Sequence, residues 1–447
     1  MTSRLDTLLA FAARRSPRYT SYPTAPHFHA GVDAETYGRW LERLNPAAPV
    51  SLYLHVPYCK SLCWYCGCNT RATTRDEPVA AYLEILLAEL AQVADRLPAR
   101  LTVSHLAFGG GTPAILSPSQ IDRVMDAIRS RFDCADDAEI TMEIDPRHFT
   151  REDAAALARN GFTRASTGVQ SFDPAVQAAI NRTQPYELVE AAFNRLRQAG
   201  VSKINADLLY GLPKQTVESA RVSAQAAAAL EPSRLAVFGY AHVPHMMAHQ
   251  RLIKDADLPG PAERIAQHDA MEEALAGSGY AVIGIDHYAR PDDPMTKALE
   301  AGVLRRNFQG YTTDKAQTMI GLGASAIGEN PSGYVQNIAD VRAYGQAVAD
   351  GRLPVHRGVA VDAEDKMRRA IIERIMTDLK VNPAAIAAAH GLPVPQIDVR
   401  ELRAAGIVHR DGPWLIVDPR FKPLARLLAA AFDGYLAVAE VKHSVSV

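Results

Sequence analysis

The sequence predicts an α/β fold: a partial, TIM-like barrel of the (β/α)6 type with an N-terminal extension and a small, mostly helical, winged-helix-like C-terminal domain. Three observations predict it. Between Ser51 and Val243, six short apolar runs alternate with longer helix-forming stretches, the pattern of parallel strands joined by crossover helices. No GxGxxG motif opens a helix after the first run, so the repeat reads as barrel units rather than a dinucleotide-binding crossover. Polar groups of chemical use fall at the ends of successive runs, and in a barrel those ends converge on one face.

Residues 1–45 read as a leader. MTSRLDTLLAFAARRSPRY has a short apolar stretch broken by Arg14 and Arg15 and lacks the ordered regions of a signal peptide. The segment Arg18 to Thr24, RYTSYPT, is extended by its proline and reads as a strap across the surface. The barrel domain follows over 46–357. Its strands are expected at Ser51–Val56, His105–Phe108, Glu139–Glu143, Ala165–Val169, Ile204–Leu209 and Leu235–Tyr240, with helices at Pro78–Asp95, Pro118–Ser130, Glu152–Asn160, Glu187–Ala199 and Val217–Leu230. Residues 358–447 form the C-terminal domain. Ala363–Asp378, Pro383–His390 and Val399–Ala405 read as amphipathic helices, and Ile407–Val417 as a hairpin about the Asp411-Gly412 turn.

The chain has 447 residues, 48% hydrophobic and 22% charged, with a formal net charge of −2. That composition is ordinary for a globular protein, and the absence of a basic excess argues against nucleic acid as partner. No apolar run approaches the roughly 18 residues of a membrane span, so the expectation is a cytoplasmic protein with reduced thiols and no membrane contact.

Cysteine placement gives the sharpest chemical signal. Cys59, Cys63, Cys66 and Cys68 fall within ten residues, directly after the first strand, and Cys134 is the fifth and last cysteine. Cys134 reads as structural. A zinc knuckle pair would need a second Cys pair about 12 to 20 residues away, and none follows. Cys59-x3-Cys63-x2-Cys66 can instead hold three corners of an iron–sulfur cubane and leave one iron open. Zinc or inert cysteines remain the alternatives. Gly109-Gly110-Gly111-Thr112-Pro113 follows the second strand and would let a ligand approach the backbone, although such a run alone is often just a turn. Glu143, Gln170 and Asp207 are polar residues in apolar strands, where burial costs free energy unless each is paired.

The C-x3-C-x2-C-x-C spacing, with Tyr65 before the third cysteine, resembles the radical S-adenosylmethionine (SAM) superfamily, and within it the branch of oxygen-independent coproporphyrinogen III oxidases and their heme-chaperone relatives. The resemblance implies a [4Fe–4S] cluster on Cys59, Cys63 and Cys66. It implies contacts from Tyr53, Gly110, Glu143 and Ile327 to the cluster and a first SAM, and from Tyr65, Gly111, Thr112, Gln170, Arg182, Asp207 and Ala241 to a second. Tyr53 and Cys68 are the catalytic candidates; Cys68 could touch substrate, carry a hydrogen atom or merely line the loop. The implied reaction converts two propionates of coproporphyrinogen III to vinyl groups, giving protoporphyrinogen IX. A flavodoxin- or ferredoxin-type electron donor, a separate electron acceptor and a monomeric state are expected with it.

Three later segments, FGYAHVPHM, Ile283–Pro294 and Arg305–Thr313, resemble the substrate region of these enzymes, as does PRYTSYPT, which brings Arg18 or Tyr19 to the site. A substrate with four propionates calls for cations, and Arg18, Arg290, Arg305 and Arg306 are the candidates. The heme-chaperone relatives carry a His-Asn and Tyr-Trp signature near here. In this chain Arg306 precedes Asn307 and Thr312 follows Tyr311, so the signature is absent. His242, His245, His249 and His287 lack the partner spacing of a second metal site.

Overall fold

The structure, a computed structural model, describes residues 3–14 and 16–436; Arg15 and residues 437–447 of the expected C-terminal domain lie outside the described residues. The six expected strands are β1 (Val50–Val56), β2 (Thr102–Gly110), β3 (Asp133–Ile144), β4 (Arg164–Gln170), β5 (Lys203–Tyr210) and β6 (Arg234–Gly239). They lie side by side in that order, each parallel to the next. Helices α1 (Asp76–Ala94), α2 (Pro118–Arg131), α3 (Arg151–Arg159), α4 (Tyr186–Ala199) and α5 (Val217–Ala229) supply the crossovers. Both faces of β1 are buried, as a parallel strand covered on each side requires, which is why these runs are apolar rather than alternating. Capping boxes at Ser117/Gln120, Thr150/Asp153 and Thr216/Ser219 start α2, α3 and α5, each satisfying two otherwise unpaired backbone donors.

The sheet extends beyond the six strands. On one side, β7 (Ala281–Ile283) and β8 (His287–Ala289) continue it antiparallel to β6. On the other, β9 (Thr318–Leu322) pairs in parallel with β1, placing Gly321 opposite Tyr53, and β10 (Ile327–Asn330), β11 (Gly333–Asn337) and β12 (Val355–Ala360) follow antiparallel. Among the described residues this makes one sheet of twelve strands whose ends do not pair with each other. The expected six-strand unit therefore gains a seventh parallel strand. β9 is reached through a long excursion rather than a single crossover helix, so the strand–helix alternation that marks the other six does not mark it.

At the N-terminal ends of the strands lies a buried ion network. The guanidinium of Arg164, almost fully enclosed, donates to Glu139 (3.1 and 3.2 Å) and to Asn205 (2.8 Å) and lies 3.8 Å from Asp293, which also takes a hydrogen bond from Arg234.

The C-terminal unit contains α7, introduced after α6 (Pro261–Gly277) and spanning Ala363–Asp378, together with short helices at Pro383–Ala389 and Arg400–Ala404. Strands Lys380–Val381, Trp414–Val417 and Val408–Asp411 form an antiparallel sheet in that spatial order. A further helix, Ala425–Ala431, completes its core, and so does the leader: Leu8 and Phe11 of helix Arg4–Ala12, with Tyr19 and Tyr22 of the strap, pack among the C-terminal residues. The rest of the leader, helix Ala34–Glu42, docks on the barrel core through Tyr37 and Leu41. Ile265 and Ile285 belong to the same second core, which seats the C-terminal unit on the barrel. No described helix is long and apolar enough to cross a membrane.

Replacing Arg164 with methionine would strand carboxylates in a dry environment. Breaking a buried ion pair from one side costs about 3–5 kcal/mol, so the denaturant midpoint of Arg164→Met should fall well below the wild type. An unchanged midpoint in a urea titration would refute this account of the network.

Candidate active site

The C-terminal ends of the strands hold the cysteine loop. It leaves β1 at Val56 and forms a short parallel pair, Tyr58–Cys59 with Arg71–Ala72. Its backbone is then tied to distant parts of the chain. The Trp64 N–H donates to the Ile180 carbonyl (2.9 Å), and Asn181 Nδ2 donates to the Leu62 carbonyl (2.9 Å). His249 Nε2 lies 2.7 Å from the Cys66 carbonyl, and Gln250 Nε2 donates to the Tyr65 carbonyl (3.0 Å). His242 bonds the Tyr240 hydroxyl (2.8 Å) and Asp255 (3.0 Å). His242 and His249 thus tie loops together.

Donors already point at the sulfurs. The hydroxyls of Thr70 and Thr112 lie 3.2 and 3.3 Å from Cys59 Sγ. Arg182 Nη1 and Arg147 Nη2 donate to Cys63 Sγ at 3.3 and 3.5 Å. The Cys68 N–H donates to Cys66 Sγ (3.4 Å), and a hydrogen bond from the Cys68 side chain is the main reason the Cys66 thiol is drawn down to about 6. Thiolates are the ligand form for iron–sulfur clusters, and this donor set suits them. Among the described residues no three His, Cys, Asp or Glu groups are gathered round a single point. All four loop cysteines line one cavity of about 260 Å³. Cys134 lies apart, at the start of β3.

The same cavity is lined by Tyr65, Gly110, Gly111, Thr112, Glu143, Gln170, Arg182 and Asp207, so the topology gathers most of the residues singled out in the sequence. Gly110 adopts φ +113°, and a side chain there would run into the His55 ring; at Gly111 a Cβ would fall 2.6 Å from the Tyr58 carbonyl oxygen. Only glycine fits between the β2 end and the cysteine loop. Gln170 sits at φ +66°, an unusual conformation for a residue with a side chain, where β4 leaves its ladder. Tyr53 stands directly behind, beside Glu143 and hydrogen-bonded to His55 (3.1 Å).

Charge in this cavity is finely divided. Burial, then the neighbouring Asp207 charge, raises the Glu143 carboxyl to about 7, against a hydrogen bond from the Gly110 N–H (3.2 Å). Burial raises Asp207 to about 6, while His287, the Ser166 hydroxyl (3.2 Å) and Arg182 oppose it. Asp145 goes the other way: burial would raise it, but Arg147 and Arg182 hold it at about 2. Arg182 itself is buried, donates to the Gly168 carbonyl (2.7 Å), and keeps its Nε without a partner. Arg147, in the DPRHF segment after β3, was not a sequence candidate; its isolated position in a loop gives no periodic signal.

A second cavity of about 250 Å³ is lined by Tyr210 at the end of β5 and by residues 237–241 at the end of β6. His287 links the two cavities, since it lines the second and acts electrostatically on Asp207 in the first. Four arginines line it: Arg18, Arg264, Arg306 and Arg426. Of the four sequence candidates for propionate binding, Arg18 and Arg306 are therefore present and two are misplaced. Arg290 is half-exposed beside Asp292 (3.7 Å), its backbone bonded to Ser233 before β6 at the opposite end of the strands. Arg305 is engaged by the Lys315 and Ala316 carbonyls and by Glu373. Antiparallel β8 turns Arg290 away, and the pleat of strand Arg305–Asn307 separates neighbours Arg305 and Arg306. Tyr19 does not cover the site; its hydroxyl donates to Asp433 (3.0 Å) within the second core. Ala241 lines the arginine cavity, not the cysteine cavity, and Ile327 opens β10 outside both, packed near Phe28 and Tyr334.

Comparison with known proteins bears on the whole chain. Residues 53–227 match the model of the radical SAM superfamily. An oxygen-independent coproporphyrinogen III oxidase of Bradyrhizobium diazoefficiens is 47% identical over 99% of this chain and 100% of its own length. One from Paracoccus denitrificans is 41% identical over 100% and 99%. The solved structure of the Escherichia coli coproporphyrinogen III oxidase, described as a radical SAM enzyme, superposes with a TM-score of 0.88 at 38% identity, covering 94% of this chain and 98% of that one.

Two outcomes are expected. Cys63→Ser should lose bound iron and sulfide after anaerobic reconstitution, whereas Cys68→Ser should keep both and lose activity; cluster loss in Cys68→Ser would show the ligands to be misassigned. In the cluster-free protein, Glu143 is protonated in the folded state above its ordinary 4.5, up to about 7. Between those values the folded chain binds the extra proton, so stability falls as pH rises through the window and levels off above it. Glu143→Gln should flatten that part of the stability–pH curve, measured by denaturant midpoint, and an unaltered slope would refute the assignment.

Proposed function

The chain belongs to the oxygen-independent coproporphyrinogen III oxidases of the radical SAM superfamily, and from that premise we propose that it performs both oxidative decarboxylations that turn coproporphyrinogen III into protoporphyrinogen IX. It is an enzyme of heme biosynthesis. The observation that carries the fuller reading is the presence of a thiol-lined cavity and an arginine-lined one, with His287 of the second acting electrostatically on Asp207 of the first. The pair suits a centre for hydrogen abstraction and a receptor for a polycarboxylate.

Cys59, Cys63 and Cys66 would hold three irons of a [4Fe–4S] cluster. When bound, the cluster and SAM would supply the radical chemistry for removing a hydrogen atom from a propionate β-carbon, so that loss of CO2 and one electron could leave a vinyl group. The protein's residues orient and enclose. Glu143 and Gly110, backed by Tyr53, offer a carboxylate and backbone groups for the amino and ribose ends of a first SAM. Arg182 supports a second: its buried, unpartnered Nε is a donor suited to a carboxylate, with Tyr65, Gly111, Thr112, Gln170 and Asp207 around the same space. Ala241, in the lining of the second cavity, would be reached by a ligand that spans both cavities. Ile327 would act from behind β9. No protein nucleophile is required, and holding the reacting carbon within about 3–3.5 Å of the radical centre is the main catalytic task of the fold. An external one-electron donor of flavodoxin or ferredoxin type starts each cycle, and a separate acceptor removes the electron released with CO2. A monomer in the reducing cytoplasm suits this chemistry.

Reconstituted enzyme, supplied anaerobically with a reductant, SAM, coproporphyrinogen III and a one-electron acceptor, should release two CO2 per protoporphyrinogen IX formed. Iron-loaded enzyme that yields neither would overturn the proposal.

A further inference from the structure

We propose that the arginine cavity is a carboxylate-anchoring site, in which Arg264 and Arg306, joined by Arg18 and Arg426, grip the propionates that are not reacting while the reacting one passes His287 toward Asp207. This rests on the reading of a tetrapyrrole polycarboxylate as substrate.

The four guanidiniums come from four distant parts of the chain: the strap, α6, the strand Arg305–Asn307 and the C-terminal helix Ala425–Ala431. The acidic side chain in the lining, Asp286, is hydrogen-bonded to His287 Nδ1 at 2.7 Å and also feels the charges of Arg306 and Arg426, so a single carboxylate faces several cations. Elsewhere buried arginines are paired with carboxylates, as Arg147 is with Asp145 and Arg234 with Asp293. Arg264 and Arg306 lie instead over aromatic faces. The Arg264 guanidinium lies 5.5 Å from the centre of the Tyr210 ring, and that of Arg306 lies 4.4 Å from the centre of the Tyr311 ring. A stacked guanidinium keeps its edge free for a planar anion. Arg306 Nε and Nη1 are buried without any hydrogen-bond partner, a state that costs free energy until an acceptor arrives.

Mutual repulsion points the same way. Burial first, and then the charge of Arg18, lowers both Arg426, to about 10, and Arg264. Cations held this close are relieved by an anion. At about 250 Å³ the cavity is below the roughly 300–1,000 Å³ of pockets that enclose a whole drug-sized ligand, so it receives carboxylate arms while the ring lies at its mouth. Phe238 and Phe308 offer apolar surface there.

The test is binding to reconstituted holoenzyme, read anaerobically from the fluorescence of coproporphyrin III. Each of Arg264→Gln and Arg306→Gln should weaken Kd about tenfold or more, the scale of one lost charge-assisted hydrogen bond, with iron content unchanged. Wild-type enzyme should bind the tetramethyl ester of coproporphyrin III far more weakly than the free acid, a comparison that needs no folded variant. Equal affinity for ester and acid, or variants within twofold of wild type, would overturn the anchoring role. Because the readout is binding, a wild type that binds the acid through these arginines yet makes no vinyl product would sink the proposed reaction and leave the anchoring site standing.

Discussion

A buried guanidinium must direct its five donors at something, and the mouth of this sheet is arranged around how Arg182 does so. It reaches Cys63 on the cysteine loop, the Gly168 carbonyl on β4 and, at 3.6 Å, Asp145 after β3. Three elements are thereby tied to one side chain. The same cation lowers Asp145 and opposes the burial that raises Asp207. Loss of that charge would release the geometry of the thiols and the balance of the carboxylates together, because in a poorly screened interior each buried charge is tuned by its neighbours.

Much of this was legible in the sequence. Six parallel strands and their helices follow from apolar runs that must be buried on both faces, and the convergence of Glu143, Gln170 and Asp207 follows from strand ends sharing one face. The cysteine spacing placed four thiols on one loop, and all four line one cavity. What stayed hidden depends on tertiary approach. β9 has no preceding crossover helix to announce it. Arg264 lies on an ordinary polar-looking helix, and only its packing on Tyr210 shows its direction. Arg426 offered a trace, as a single cation in the apolar stretch LARLLAAA. Arg290 and Arg305 lie away from the cavity that Arg18 and Arg306 line for a common reason: a basic residue in a segment resembling a substrate region says nothing of which side of the strand it faces.

The two cavities differ in how they are made. The cysteine cavity is built within the first half of the sheet, from loops that follow β1 to β5. The arginine cavity draws on both ends of the chain, with the strap and the C-terminal unit forming one core over the barrel. The thiol-lined cavity therefore depends on one continuous stretch of the chain, while the arginine-lined one depends on segments from both ends. A barrel of this kind could accept other partners for its mouth without altering its thiols, which is how one fold hosts many chemistries.

The ties between His249 and Cys66, and between Gln250 and Tyr65, also set an order of assembly. Their sequence separations are 183 and 185 residues, so the ribosome delivers the cysteines long before the groups that shape their loop. Contacts of such span close late, after the intervening strands have docked. Until then the loop rests on its own short strand pair and on its ties to Arg147, Ile180, Asn181 and Arg182, so its final shape depends on a segment that lies beyond β6.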